Sequence, residues 1–120
     1  MTALLQAELR QIVAQWGRDF DVLLTPTMAC TPPRLGTVLA EANKNVEGPR
    51  PTETRMVFLT AICNITGLPA ISLPVHFSAA DLPIGAQLIG APFGEATLIR
   101  LAAAIELEVG WARAIPPRYR

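Results

Sequence analysis

The side chains that could act as nucleophiles or bases in this 120-residue chain are few. It has two serines, Ser72 and Ser78, one lysine, Lys44, and one histidine, His76. Ser72, His76 and Asp81 follow a hydrolase-like order, in which a serine attacks and a histidine takes its proton. On a strand, however, four residues span ~13 Å, so Ser72 and His76 lie beyond hydrogen-bond reach. The spacing therefore predicts that these three residues form no catalytic site.

The other candidate bases also have simpler explanations. His76 and Ser78 lie where a strand runs into a turn, and a lone histidine there is usually a solvated or structural residue. Lys44 lies in the polar segment 43–45, where solvation keeps the amine charged and makes it a poor base. We conclude that the residues alone predict no complete active site.

The glycines and cysteines predict neither a phosphate loop nor a metal centre. Gly85 and Gly90 have the outer spacing of a phosphate-binding loop, but residues 91–92 are Ala-Pro instead of the Lys and Ser/Thr that such a loop needs. Cys30 and Cys63 belong to no Cys-x-x-Cys motif or Cys/His cluster. We expect free buried thiols in a cytoplasmic protein, with no metal and no cofactor.

The charge content is low for so short a chain. Charged residues make up 17% and hydrophobic residues 51%, against roughly 25% charged in an average soluble chain. Ten basic residues balance ten acidic ones, and nine of the ten basic residues are scattered arginines. A nucleic-acid-binding protein has a concentrated basic face, so we expect no nucleic-acid partner.

The missing charge is concentrated in one stretch of sequence. Between Arg55 and Glu95, Asp81 is the one charged residue. Polar residues, glycines and prolines interrupt this stretch, so no run reaches the ~18 apolar residues of a membrane span. The N-terminus also lacks the pattern of a signal peptide. We expect no membrane partner, and we interpret the stretch as the buried centre of a soluble α/β protein.

The hydrophobic periodicity predicts one α/β domain over residues 1–120, in the order α-β-(long loop)-α-β-β-α. The first helix carries an apolar stripe and ends at Gly17. A short buried strand at 21–26 follows, with a parallel strand as its expected neighbour. Residues 28–51 are expected to form a long irregular segment with one short helix. The stripe of the first helix consists of Leu5, Leu9, Ile12, Val13 and Trp16.

The second half of the chain contains the remaining predicted elements. A helix capped by Thr52 runs to residue 65 and is apolar nearly all round, so we expect it to be buried on all sides. Strands at 70–75 and 85–90 are expected to form a hairpin. The last helix follows Gly94 and stops at Gly110. Its apolar stripe consists of Leu98, Leu101, Ala102, Ile105 and Val109.

Several motifs in this half resemble the C-terminal part of the amidase signature family. They are Asn-Ile-Thr-Gly-Leu-Pro-Ala-Ile-Ser-Leu-Pro at 64–74, Leu-Pro-Ile-Gly-Ala-Gln-Leu-Ile-Gly at 82–90 and Pro-Phe-Gly-Glu at 92–95. The strand sequence at 21–27 is similar to the one that precedes that part in these enzymes. The segment 111–117 resembles the tails of aminohexanoate cyclic-dimer hydrolases within the family.

The resemblance implies a mixed sheet between helices and an amide hydrolase that uses two serines and a lysine. In the family those residues come from a glycine- and serine-rich signature and a preceding lysine, both N-terminal to the matched region. This sequence contains no such signature, so no catalytic residue is assigned to it. The resemblance also implies that one helix face lines the substrate channel. In this chain that face would consist of Thr54, Val57, Phe58 and Ala61, and the same four residues are equally compatible with an ordinary core.

Two functional hypotheses follow. In the first, the chain is the C-terminal fragment of an amidase, inactive alone, whose partner is the N-terminal catalytic portion. In the second, it is a stand-alone module that reuses part of the fold, either as a structural unit or as an interaction module that self-associates through exposed apolar faces.

Overall fold

The computed structural model describes residues 3–44 and 46–114. The C-terminal part of the tail motif, from residue 115 on, lies outside the described residues. Eight helices and strands are followed by a 3₁₀ turn at Trp111–Arg113. They are α1 Ala3–Val13, β1 Val22–Pro26, α2 Thr37–Lys44, α3 Pro51–Val57, α4 Ala61–Thr66, β2 Ala70–Phe77, β3 Pro83–Gly90 and α5 Glu95–Val109.

The described strands form one three-stranded sheet in the order β1-β3-β2. β2 and β3 form the predicted hairpin, with a register shift between Pro74 and His76. β1 also pairs antiparallel with β3, from Val22 opposite Gly90 to Pro26 opposite Ala86. The expected parallel pairing of β1 is therefore wrong, and no mixed sheet is seen among these strands. β3 is the central strand, with β2 on one side and β1 on the other.

Helix α5 covers one face of the sheet. Its residues Leu98 and Ala102 are buried against Leu73 of β2 and Leu88 of β3. Gly110, at φ 69°, ends the helix and donates its N–H to the Glu106 carbonyl at 2.7 Å. The predicted apolar stripe is confirmed at the positions that pack on the sheet, which α5 places there by its 3.6-residue repeat.

The opposite face of the sheet packs against the segment after α1 and against α4. Trp16, Leu68 and Ile89 are buried together there, and Trp16 donates its Nε1–H to the Ile89 carbonyl at 3.0 Å. Trp16 was expected inside the first helix, but α1 ends at Val13. The prediction that Trp16 lies within the first helix is therefore wrong. Trp16 follows the end of the helix, and its ring is hydrogen-bonded to a carbonyl of the sheet.

The segment expected to be one buried helix is two short helices, α3 and α4. Residues 58–60 separate them, and Gly67, at φ 73°, ends α4 as expected. Neither helix contains a buried residue. Val57, Phe58 and Ile65 are 48%, 67% and 51% exposed. The expectation of burial on all sides is therefore wrong in this chain.

The start of α3 also differs from the expectation. The helix begins at Pro51, a residue suited to the first helical turn because it has no N–H to satisfy. Thr52 is one residue further on and caps nothing. Its hydroxyl donates to Oε1 of Glu41 at 2.5 Å, and its backbone N–H donates to Oε2 at 3.1 Å. Glu41 lies on α2, the short helix expected within the long segment, so these bonds join α2 to α3.

The molecule is flat and extended for its length. It measures 48 × 45 × 19 Å and has a radius of gyration of 17.2 Å, whereas a compact domain of this length has about 13.6 Å. Its accessible surface is 9028 Å², against about 6,300 Å² for a compact monomer of this mass. Within the described residues, no helix has the length and hydropathy to cross a membrane.

Candidate functional site

A cleft of about 530 Å³ opens at one end of the sheet. The end of β1 and the loop after it, residues 26–32, form one wall. The β2–β3 hairpin forms the other through residues 72, 74, 78 and 82–85. Prolines and aliphatic side chains dominate this lining. A cleft of this volume, with few polar groups, has the size and character of a small-molecule site.

Two hydroxyl groups in the lining of the cleft form a hydrogen bond. Thr27 Oγ1 and Ser72 Oγ are 2.6 Å apart, and either one can be the donor. Gly85 lies beside the pair, and a Cβ atom at that position would be 2.7 Å from Thr27 Oγ1 and 3.0 Å from Ser72 Oγ. The glycine is therefore needed for the close approach of β3 to the two hydroxyls.

A buried glutamine lies further along the same face of the sheet. Gln87 is 4% exposed, and it pairs with Thr25 on β1 and with Ser72 on β2. Its Nε2 donates to Thr25 Oγ1 at 3.3 Å and to the Leu59 carbonyl at 3.1 Å. A buried amide requires such partners because its desolvation is costly when they are missing. Gln87 thus connects the sheet to the segment between α3 and α4.

The Leu59 carbonyl is free to accept from Gln87 because the helix is interrupted there. In a continuous helix that carbonyl would accept the N–H of Cys63. The Cys63 N–H instead donates to the Thr60 carbonyl at 3.2 Å, and the Thr60 N–H donates to the Val57 carbonyl at 3.1 Å. The break between α3 and α4 therefore exposes one backbone acceptor, and the side chain of Gln87 satisfies it.

The four residues predicted to form a channel wall lie on both sides of this break. Thr54 and Val57 belong to α3, Phe58 follows it, and Ala61 begins α4. Their spacing was expected to place them on one face of a single helix, and the break makes that helix discontinuous. Phe58 is 67% exposed and Val57 48%, so much of the surface of these two apolar side chains is not covered by the described structure. Their role as a channel wall stays a prediction.

The discarded catalytic candidates have other roles in the structure. Ser78 closes the β2–β3 hairpin, where its Oγ accepts the N–H of Leu82 at 3.1 Å. His76 is exposed, and Asp81 is exposed at φ 59° within the turn. Lys44, expected in a loop, is the exposed last residue of α2. The structure brings none of these residues together with the Ser72 hydroxyl by a hydrogen bond in the described part of the chain.

The cysteines and acidic residues offer no metal centre in the described part of the chain. No group of three or more His, Cys, Asp or Glu side chains there is arranged to hold a metal ion. Cys30 lines the cleft and Cys63 packs under the sheet, and both are free and half-buried. Burial raises the pKa of the Cys63 thiol, because the charged thiolate is disfavoured away from water. Cys63 therefore remains a protonated packing residue at neutral pH.

Comparison with known proteins identifies the family. The family model described as Amidase matches residues 1–99. The chain belongs to the amidase family. That match includes β1, residues 58–60 and the β2–β3 hairpin, which supply the lining of the cleft and the Gln87 contacts.

Two curated amidases and one solved structure illustrate the similarity. The fatty acid amide hydrolase of Medicago truncatula is 41% identical over 102 residues, which are 85% of this chain and 16% of the relative. The 6-aminohexanoate-cyclic-dimer hydrolase of Pseudomonas sp. (strain NK87) is 31% identical over 105 residues, 84% of this chain and 21% of the relative. A solved 6-aminohexanoate cyclic dimer hydrolase, complexed with substrate, has a TM-score of 0.77 at 30% identity.

The chain spans only a small part of these amidases. The structural alignment includes 96% of this chain but only 25% of the solved hydrolase. The sequence alignments include 16% of the Medicago truncatula relative and 21% of the Pseudomonas relative. Each relative is therefore several times longer than the region it shares with this chain.

Sequence reasoning missed three polar residues of this face. Thr25, Thr27 and Gln87 were interpreted only as parts of strands. The available signal was their type, since threonine and glutamine stand out in runs of Val, Leu and Ile, and a polar residue buried in a strand must find a partner. Residue type does not predict that Gln87 donates to the Leu59 carbonyl, because that carbonyl is available only where the helix is broken.

Proposed function

We propose that this chain is the C-terminal part of an amide hydrolase whose nucleophile and base lie in chain outside this sequence. In the whole enzyme it would supply sheet strands, flanking helices and part of the substrate-channel wall. Its membership of the amidase family supports the reaction, since that is the chemistry of the named relatives. The small share of each relative that it covers supports its being a part rather than the whole.

The observation that carries the proposal is the exposed surface of the described fold. Its accessible area of 9028 Å² exceeds that of a compact monomer by about 2,700 Å². A stable protein–protein interface buries about 800 Å² on each partner. The excess is therefore large enough for an extensive interface with further chain of the same enzyme.

Both faces of the structure offer apolar contact to such further chain. Leu24 on the edge strand β1 is 65% exposed, and Phe58 beside α3 is 67% exposed. These side chains lie in segments that the amidase match includes. In a complete enzyme, burial of one large aliphatic or aromatic side chain would stabilise the folded state by about 1.5–3 kcal/mol.

The chain alone is expected to lack hydrolase activity. Ser72 is hydrogen-bonded to Thr27 rather than to a base, and Ser78 closes a turn. Without an activated nucleophile, covalent catalysis of amide hydrolysis is lost. The purified chain should neither turn over a simple amide nor react with a serine-directed fluorophosphonate, and either reaction would contradict the proposal.

A chimera tests whether this chain can serve as the C-terminal part of an active amide hydrolase. The corresponding C-terminal part of the Pseudomonas cyclic-dimer hydrolase is replaced by this chain, and hydrolysis of the parent's substrate is measured. We expect a folded, active chimera, whereas the parent lacking that part should be inactive. Gln11→Ala, at an exposed position of α1 outside the cleft, is the control variant in the chimera and should leave activity unchanged. A folded chimera without activity, or full activity of the truncated parent, would refute the proposal.

The genomic context offers an independent check. An in-frame glycine- and serine-rich signature preceded by a lysine, upstream of Met1, is expected. A stop codon with a separate promoter would instead favour an independent module.

The free thiols of Cys30 and Cys63 are typical of a reducing compartment, and the cytoplasm is the proposed location.

A further inference from the structure

We propose that Gln87 is a positioning residue that fixes the break between α3 and α4 against the sheet. Through the Leu59 carbonyl, it would set the position of Val57 and Phe58. The inference rests on the proposed function only where it assigns these two side chains to a substrate channel. The geometry of the anchor belongs to this chain and can be tested without the rest of the enzyme.

The first part of the argument is the number of elements that meet at one amide. Gln87 lies on the central strand β3, and its Nε2 reaches Thr25 on β1 at 3.3 Å and the Leu59 carbonyl at 3.1 Å. The two acceptors are far apart in sequence but share one NH₂ group. A side chain that is 4% exposed and has two such bonds is held in one geometry, so it can hold its partners in turn.

The second part is that the break leaves Leu59 dependent on this contact. The backbone of Cys63 bonds to Thr60, one residue later than a continuous helix would require. Without Gln87, the Leu59 carbonyl would lose its protein donor. A half-buried carbonyl without a partner is costly, so the segment would gain by moving toward solvent or by closing into a continuous helix.

The third part is the exposure of the residues attached to the anchor. Phe58 immediately precedes Leu59, and Val57 ends α3. With 67% and 48% of their surface exposed, packing within the described chain does little to fix them. Thr60 holds the Val57 carbonyl through local hydrogen bonds, and the bond from Gln87 to Leu59 adds the constraint that ties this segment to the sheet.

The test compares substitutions that keep the size of Gln87 and remove its donor. In Gln87→Met, protection of the amides of 58–63 from hydrogen exchange should fall about ten-fold relative to the β2–β3 ladder. Thr25→Val is the matched control, because it removes the other acceptor and leaves the Leu59 bond. It should lower the protection of 58–63 by clearly less than Gln87→Met does, because the Leu59 bond remains.

Gln87→Glu adds a readout that a purely structural role would not move. A protonated glutamic acid can donate to the Leu59 carbonyl, whereas the carboxylate cannot. The carbonyl carbon shift of Leu59 should therefore titrate with pH in Gln87→Glu, with the bonded value recovered at low pH. It should stay constant in Gln87→Met.

Three kinds of result would overturn the inference. One is unchanged protection of 58–63 in both Gln87 variants. Another is an equal loss of protection across the β2–β3 ladder, or an equal effect of Thr25→Val, since each would mean general destabilisation. The third is a Leu59 shift that does not titrate in Gln87→Glu.

In the active chimera, Gln87→Met should raise KM about ten-fold with little change in kcat if Val57 and Phe58 bind substrate. An inactive unmodified chimera would refute the proposed function and leave the exchange result standing. Lost protection without a change in KM would remove the channel role of Gln87 and overturn that part of the inference.

Discussion

Gly85 shows how one missing side chain shapes the candidate site. The position faces the Thr27 and Ser72 hydroxyls, which are 2.6 Å apart. Its backbone carbonyl also accepts the Thr27 N–H at 2.9 Å, so β3 cannot move away from β1 without losing a sheet bond. The hydroxyl pair and the strand pairing together leave no room for a methyl group.

Gly85→Ala is therefore expected to destabilise the chain. The new Cβ would lie 2.7 Å from Thr27 Oγ1, and overpacking of this kind costs about 1–3 kcal/mol. The measurement is the free energy of unfolding in urea. The double variant Gly85→Ala/Thr27→Ala removes the nearest atom, so its loss should be smaller than the sum of the two single losses. Strict additivity, or a neutral Gly85→Ala, would show that the contact is easily relieved.

At the scale of elements, α2 and α3 are joined by one carboxylate. Glu41 on α2 accepts both the hydroxyl and the backbone N–H of Thr52 on α3. The Thr52 hydroxyl is the largest influence that lowers the pKa of Glu41 below its ordinary value, opposed by desolvation and assisted by the Thr52 N–H and by the charges of Arg55 and Lys44. The bonded form is the charged form, so the link between the helices depends on ionisation.

The sign of the pH effect follows from this direction. Since the pKa of Glu41 is lower in the folded chain than in the unfolded chain, its ionisation stabilises the fold at pH values above the unfolded pKa. That contribution should disappear as the pH falls through the folded pKa, into the acidic range below the ordinary value of 4.5. Stability measured from pH 7 downward should show this loss, together with weaker exchange protection at Thr52.

Glu41→Gln is the control for that titration. It keeps one acceptor for Thr52 and removes the charge, so exchange protection at Thr52 should be lower at pH 7 and should not change further on acidification. Glu47, which is exposed and for which the structure gives no comparable hydrogen bond, offers a matched second control as Glu47→Gln. A pH dependence retained in Glu41→Gln would contradict the role of this carboxylate.

The elements differ in how far the sequence predicts them. The hairpin and α5 were predicted because local signals agree, with Gly110 ending a helix whose stripe packs on the sheet. The helix break at 58–60 was not predicted. Nothing in this apolar run indicates that the Leu59 carbonyl accepts a hydrogen bond from the side chain of Gln87 instead of from a helical N–H. The parallel neighbour of β1 was wrong for a related reason: an apolar run indicates burial in a complete protein but does not indicate the direction of its partner.

At the scale of the whole molecule, the proposed function would explain both the composition and the shape. The chain has few charged residues, 17%, and the described fold is only 19 Å thick. A thin body has a large surface for its volume, so it needs more polar residues than a compact one. A chain that forms part of a larger amidase avoids this conflict, because much of its surface is then interior.

The low charge content and the large exposed surface together predict that the chain self-associates when it is purified alone. With Leu24 and Phe58 each about two-thirds exposed and β1 at the edge of the sheet, apolar surface and unpaired strand edges are available to other copies. The purified chain should elute in gel filtration above its 12.9 kDa mass and bind an apolar dye. Leu24→Lys should reduce both effects, because a charged edge strand resists pairing. Gln11→Lys adds the same charge at an exposed polar position and should change neither. A monomer without dye binding over a roughly hundred-fold range of concentration would contradict the prediction, since association by exposed faces must grow by mass action.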